Sequence, residues 1–228
     1  MHTLSMLIIT VIEVLERITH SYGMGILLFA VLLKVVLLPV TFYGMRWQEH
    51  FKKAMSKATE EIAAITVSDP AAHDDEILRI YRKNGINFVN QCKALLPLLI
   101  QLPLLIAFYR TVVHWDVMET VSFLWMQDMS RPDNLYPLGI SLPWMGSSVN
   151  LLPCMLFAVN ATEVVLFHEP KLQLKSFSLP LIFFFLFYPF PASCMIFWVT
   201  LNVLHLPELF LFRKLRAGLP QTEKDAVI

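Results

Sequence analysis

The sequence predicts an all-α membrane protein: a bundle of five transmembrane helices, an N-terminal interfacial helix before it, and a cytoplasmic helical hairpin. Three observations carry this. Of 228 residues, 56% are hydrophobic and only 16% charged, against about 25% charged in soluble domains. The apolar residues gather in runs long enough to cross a bilayer. The basic residues gather almost entirely in the segments that would lie on one side.

Residues 1–21 place Leu4, Leu7, Ile8, Val11, Ile12, Leu15 and Ile18 at helical spacing, with Glu13, Glu16 and Arg17 off that stripe. This is the pattern of an amphipathic helix in the membrane interface. His2 makes a poor start for a secretory signal, and no small-residue cleavage site follows. The first span, about 23–43, is interrupted only by Lys34. It would extend roughly 31 Å as a helix, enough for the hydrocarbon core. Residues 44–93 form the long polar region. Two helical patterns, 46–65 and 74–83, flank the turn Ser68-Asp69-Pro70, with Asn84-Gly85 as a stop. The second span is expected at 94–115, then a polar and aromatic connection to Gly146, then the third at 147–167. The fourth, 172–188, is short and ends at Pro189-Phe190-Pro191. Its uncharged part covers only about 18 Å, so it either pairs with the fifth span or thins the bilayer. The fifth span, 192–212, is closed by Arg213, Lys214 and Arg216, and 217–228 is a tail.

With the N-terminus outside, 14 basic residues fall in cytoplasmic segments and two, Arg17 and Arg131, outside. Lys34 and Arg110 lie within spans. The positive-inside rule therefore sets the hairpin and the C-terminus in the cytoplasm.

Lys34 is the costliest residue. A basic group near mid-membrane is worth about 2.5–3.5 kcal/mol against insertion. It either pairs with an acid that holds helices together or lines a hydrated pocket. Glu163, in the inner half of the third span, is the expected partner by sign and depth. Gln101, Asn160, Thr200 and Asn202 add polar atoms to apolar helices. Singly each reads as glue between helices; together they suggest a polar interior. His73-Asp74-Asp75-Glu76 reads as helix-start chemistry rather than a metal site. Cys92, Cys154 and Cys194 have no metal or redox spacing. Tyr43, Trp47, Trp115, Trp125 and Trp144 suit interfacial anchoring, and Phe183–Phe185 suits lipid or core packing. No phosphate-binding loop, dinucleotide fingerprint or nucleophile elbow is present. No enzymatic activity, cofactor, metal or specific nucleic acid is expected.

Over about Tyr22–Arg216 the chain resembles the YidC family of membrane protein insertases. The strings that carry this are Leu32-Leu33-Lys34 with Leu38-Pro39, YRKNGIN (Tyr81–Asn87) and LLPLLIQLP (Leu95–Pro103) with Phe108-Tyr109-Arg110. FLWMQDMS (Phe123–Ser130) and FPAS (Phe190–Ser193) with Phe197–Thr200 and Asn202 complete the set. The resemblance implies a groove open to cytosol and lipid, with Lys34 at a position where the family normally has Arg. It implies client membrane proteins as substrates and a bacterial inner membrane as location. The hairpin residues Arg46, Lys52, Lys53, Lys57, Arg79, Arg82 and Lys83 would receive client or ribosome, with a translocon as a further partner. The chain departs from the family in Lys34 for Arg, Glu163 where Gln is frequent, Ser193 for Gly, Phe88–Gln91 and a shorter hairpin. A Lys34–Glu163 pair would neutralise the groove. A small transporter or channel with Lys34 and Glu163 on a polar path, or a paralogue without insertase activity, are the competing readings.

Overall fold

The computed structural model describes residues 2–65, 70–94, 96–167 and 176–217. The chain order is α1 (His2–Thr19), α2 (Tyr22–Ala63), α3 (Pro70–Lys83), α4 (Phe88–Ala94), α5 (Leu96–Val113) and α6 (Val117–Thr120). A two-stranded antiparallel sheet follows, β1 (Tyr136–Leu142) and β2 (Gly146–Val149), then α7 (Leu151–Phe167), α8 (Ser178–Phe187) and α9 (Ala192–Ala217). Two of these helices, α2 and α9, are long and apolar enough to cross a membrane; α5, α7 and α8 contribute shorter apolar helices. The linker lysines Lys171 and Lys175, the Ser68-Asp69 turn, the start of the fourth span and residues 218–228 lie outside the described residues.

Two compact units divide the chain, Met1–Val36 with Leu104–Ile228, and Leu37–Pro103. In the first, α7 packs against both α8 and α9. Phe29 of α2, Phe108 of α5 and Phe197 of α9 form a stacked trio, with Phe108 and Phe197 only 4.4 Å apart between ring centres. All three helices thus meet at one level through large apolar faces, the dominant source of packing energy. Helix α1 divides its apolar stripe. Ile8 and Ile12 are buried, whereas Leu4, Leu7 and Ile18 remain exposed. Close approach to α2 depends on Gly25, where a Cβ would stand 3.2 Å from the Ile12 carbonyl oxygen.

The connection between α5 and α7 is the main departure from an all-helical expectation. Residues 136–149 form a β-hairpin whose β1 side chains are all exposed. Tyr136, Leu138, Ile140 and Leu142 alternate along β1, the strand period. The turn places Trp144 at φ 69° and Gly146 at φ 74°. The third helix accordingly starts at Leu151, four residues later than its apolar pattern begins. Trp115, expected at an interface, is instead buried edge-on against Tyr22.

The same connection holds the helix starts. Buried Asp133 accepts from the backbone N–H of Leu151 at 2.6 Å and of Leu152 at 3.4 Å, so a distant carboxylate caps α7. The Trp125 indole also donates to Asp133. Asn150 bonds twice to Tyr188, at its hydroxyl and its carbonyl, and the Tyr188 hydroxyl donates to Ser148. At the start of α9, Ser193 donates its hydroxyl and its N–H to the Met129 carbonyl, and Ala192 donates to Arg131. A reciprocal pair of backbone bonds between Phe123 and Met126 closes a tight turn with Leu124 at φ 53°. That turn sets the Phe123 ring against Gly23.

In the second unit, α2 runs without interruption to Ala63. The first span and the first hairpin arm, expected to part near Gly44, are one 42-residue helix. A single glycine costs a helix only about 1 kcal/mol, too little to end one. The second arm begins at Pro70, not Asp74, with Pro in the favoured first position. It stops where expected: Gly85 takes φ 67° and Ile86 N–H reaches back to Tyr81. Lys83 and Asn84 bond to Glu61, tying the arms together, and the Lys93 ammonium lies 4.2 Å over the Trp47 ring.

A Cβ at position 23 would run into the Phe123 ring. Gly23→Ala is therefore expected to destabilise by about 1–3 kcal/mol through overpacking, read as a lower thermal midpoint in detergent. Gly23→Ala with Phe123→Ala should recover part of the loss. In the second unit, the Lys83 ammonium donating to Glu61 holds that carboxyl below its usual range. A lowered folded pKa contributes stability above the unfolded value, near 4.3, and loses it as pH falls through the folded one. Hydrogen exchange at the α3 C-terminus should thus quicken on acidification below about pH 4, and Lys83→Met should remove that step.

Candidate functional site

Lys34 lies on α2 twelve residues from its start, about 18 Å along the axis. It is buried, and its Nζ donates to Glu208 Oε2 of α9 at 2.9 Å. His205, one turn before Glu208, lies with Nδ1 3.1 Å from the same oxygen. With Nδ1 protonated it donates to the carboxylate. Glu208 is as buried as Lys34, and its second oxygen, Oε1, has no hydrogen-bond partner among the described residues. Pro207 supplies no N–H, which leaves the Val203 carbonyl one turn earlier without its helical donor. The site is therefore a compensated ion pair with one vacant acceptor on the carboxylate and one on the backbone.

The charge pairing differs from the expectation. Glu163 is half-buried on α7 and pairs with no cation among the described residues. Glu208 takes its place. Sequence reasoning missed it because Glu163 was taken as the acid matching Lys34 by sign and depth; an acid inside the fifth apolar run carries the same signal. The i, i+3 relation of His205 to Glu208 puts both on one helix face.

The other polar candidates do not converge on Lys34 by hydrogen bonding. Asn160 donates to Leu156, Thr200 to Ile196 and Asn202 to Trp198, each to its own helix one turn back. This satisfies their donors locally. Their remaining acceptor oxygens stay on half-buried helix faces. Gln101 belongs to the second unit, where it is half-buried. At the far end of α7, Arg213 donates to the Phe167 carbonyl and covers its ring at 4.4 Å. A cation there suits both the orphan carbonyl and the helix dipole. Of the hairpin cations, Arg46, Lys52, Lys53, Lys57, Arg79, Arg82 and Lys83 are all exposed. Arg79 pairs with Glu76 and Lys83 with Glu61. Arg46, Lys53 and Lys57 fall on one stripe of α2, at spacings of seven and four. No cluster of metal-ligating side chains exists among the described residues.

Residues 14–217 match the family described as 60Kd inner membrane protein. Relatives named membrane protein insertase YidC include those of Treponema denticola, 26% identical over 90% of this chain and 36% of the relative, and Pelodictyon phaeoclathratiforme, 26% identical over 94% and 37%. That of Prosthecochloris aestuarii is likewise 26% identical, over 91% and 36%. The chain thus spans little more than a third of the length of these relatives. Among solved structures, one titled as an active YidC insertase crystal structure with the first transmembrane domain resolved superposes with a TM-score of 0.64. It is 21% identical and matches 92% of this chain and 46% of that one. The fold is shared.

Removing one partner of a buried ion pair leaves the other charge uncompensated, at a cost of about 3–5 kcal/mol. Lys34→Met alone and Glu208→Leu alone should each lower thermal stability by that order. The double substitution should cost far less than the sum, a coupling that a double-mutant cycle in detergent will read.

Proposed function

Because the chain belongs to the 60Kd inner membrane protein family, we propose that it is a membrane protein insertase. It would move client transmembrane segments and their short N-terminal tails from cytosol into the bilayer. The observation that carries the reading is the Lys34–Glu208 pair: two buried charges between helices whose other faces are apolar. In lipid such a pair marks a polar path by default.

The proposed arrangement is five spans with the N-terminus outside and the C-terminus in the cytoplasm of a bacterial inner membrane. Residues 22–216 form the working core, 1–21 lie in the interface, and 217–228 form a cytoplasmic tail. A hydrated groove in the inner leaflet, with Lys34 at its charged centre and Asn160, Glu163, Thr200 and Asn202 along it, would hold the polar tail of a client. Helix α8 has ten residues, about 15 Å of rise, half the usual hydrocarbon thickness. The bilayer beside it would thin, shortening the apolar barrier further. Exposed Leu179, Leu181, Ile182 and Phe185 keep that surface lipid-compatible. The exposed hairpin cations would receive client or ribosome, and a translocon could act alongside. No bond is made or broken, and no cofactor is needed. The driving force is burial of the client's apolar helix in lipid.

The test is insertion of a single-span client with a short polar N-terminal tail, scored by protease protection in cells depleted of their own insertase. Complementation with this chain should restore insertion, Lys34→Ala should lower it several-fold, and Lys34→Arg should keep most of it. If Lys34→Ala supports insertion as well as the unchanged chain, the charged-site mechanism is wrong.

A further inference from the structure

We infer that Glu208 is a specificity-determining residue: it makes the Lys34 site favour uncharged, hydrogen-bonding client tails over acidic ones. The inference rests on the insertase reading and concerns the same site. A lone ammonium in low dielectric attracts a carboxylate with an energy that falls only as the inverse of distance. Here the ammonium has a counter-ion at 2.9 Å, both partners are buried, and with His205 neutral the cluster carries no net charge. An approaching anion meets a dipole, whose attraction fades much faster.

Contact offers an acidic tail no better terms. To take Lys34 it must displace Glu208, leaving that carboxylate buried and unpaired, or join it, leaving two carboxylates on one ammonium with a net negative charge in the bundle. Both are penalised strongly. An uncharged polar tail meets no such penalty. Both donors from this chain fall on Oε2, from Lys34 and from His205, so Oε1 is vacant. A buried acceptor without a donor is costly to leave unmade, and a client amide or hydroxyl satisfies it. The remaining N–H groups of Lys34 can in turn serve a client carbonyl. Amide-rich or hydroxyl-rich tails match both halves of the pair.

The experiment uses the full chain reconstituted in liposomes. Two single-span clients carry tails identical except for paired Asp or paired Asn, and insertion is read by protease protection. The quantity compared is the ratio of Asp-tail to Asn-tail insertion within each variant, which cancels differences in folded protein. Glu208→Gln, which removes the counter-charge, should raise that ratio several-fold over the unchanged chain. Lys34→Gln with Glu208→Gln, neutral again, should bring it back to the starting value. An unchanged ratio in Glu208→Gln, or a raised ratio that persists in the double variant, overturns the inference while leaving the insertase reading intact. Failure of the unchanged chain to insert either client above protein-free liposomes overturns the insertase reading, and this inference with it.

Discussion

The buried bond between Lys34 and Glu208 is the constraint to which the first unit must conform. Lipid offers neither water nor counter-ions, so α2 and α9 have to present these residues to each other. That fixes the rotation of both helices about their axes. Five residues earlier on α2, the same rotation brings Phe29 onto the rings of Phe108 and Phe197. The aromatic trio and the ion pair are therefore two consequences of one orientation. The trio contributes apolar packing, and the pair makes other rotations costly, since each would leave a charge facing lipid. A buried pair is a poor source of net stability; its strength is in choosing one arrangement among several that apolar packing alone would tolerate.

Much of the helical framework could be read from hydropathy because lipid imposes a coarse rule that single residues seldom overturn. The break at Pro189–Pro191 and the stop at Gly85 were legible for the same reason: each rests on local backbone chemistry. The misreadings share a different cause. Gly44 looked like a boundary because the polarity changes there, yet polarity does not end a helix when the backbone has no reason to turn. The β-hairpin was hidden because Pro137, Gly139 and Pro143 read as connection chemistry, although Tyr136, Leu138, Ile140 and Leu142 recur at the strand period. Trp115 and Trp144 look alike in sequence; only tertiary packing separates the buried ring from the exposed one.

The site was half legible. Lys34 announced itself by its cost. Its partner did not, because Glu163 and Glu208 both sit in apolar runs and only the packing of α9 on the rest of its unit decides between them. The local bonding of Asn160, Thr200 and Asn202 was also beyond sequence, since a polar residue in a span can serve either its own helix or a neighbour. What distinguished the pair from these was charge, which one's own backbone cannot neutralise.

The fastenings of this unit are unequally shared between its two ends. Where α7 and α9 begin and α8 finishes, Asp133, Asn150, Tyr188 and Ser193 make a mesh of short bonds. Where α7 finishes, the resolved ties to α9 are Arg213 on the Phe167 carbonyl and ring and the edge-on contact of Phe167 with Phe210. Mechanically this is a pair of tongs: riveted at one end, lightly latched at the other. Thermal energy spent on such an object widens the latched end first, because few bonds break there for each ångström gained, while the riveted end keeps its seal.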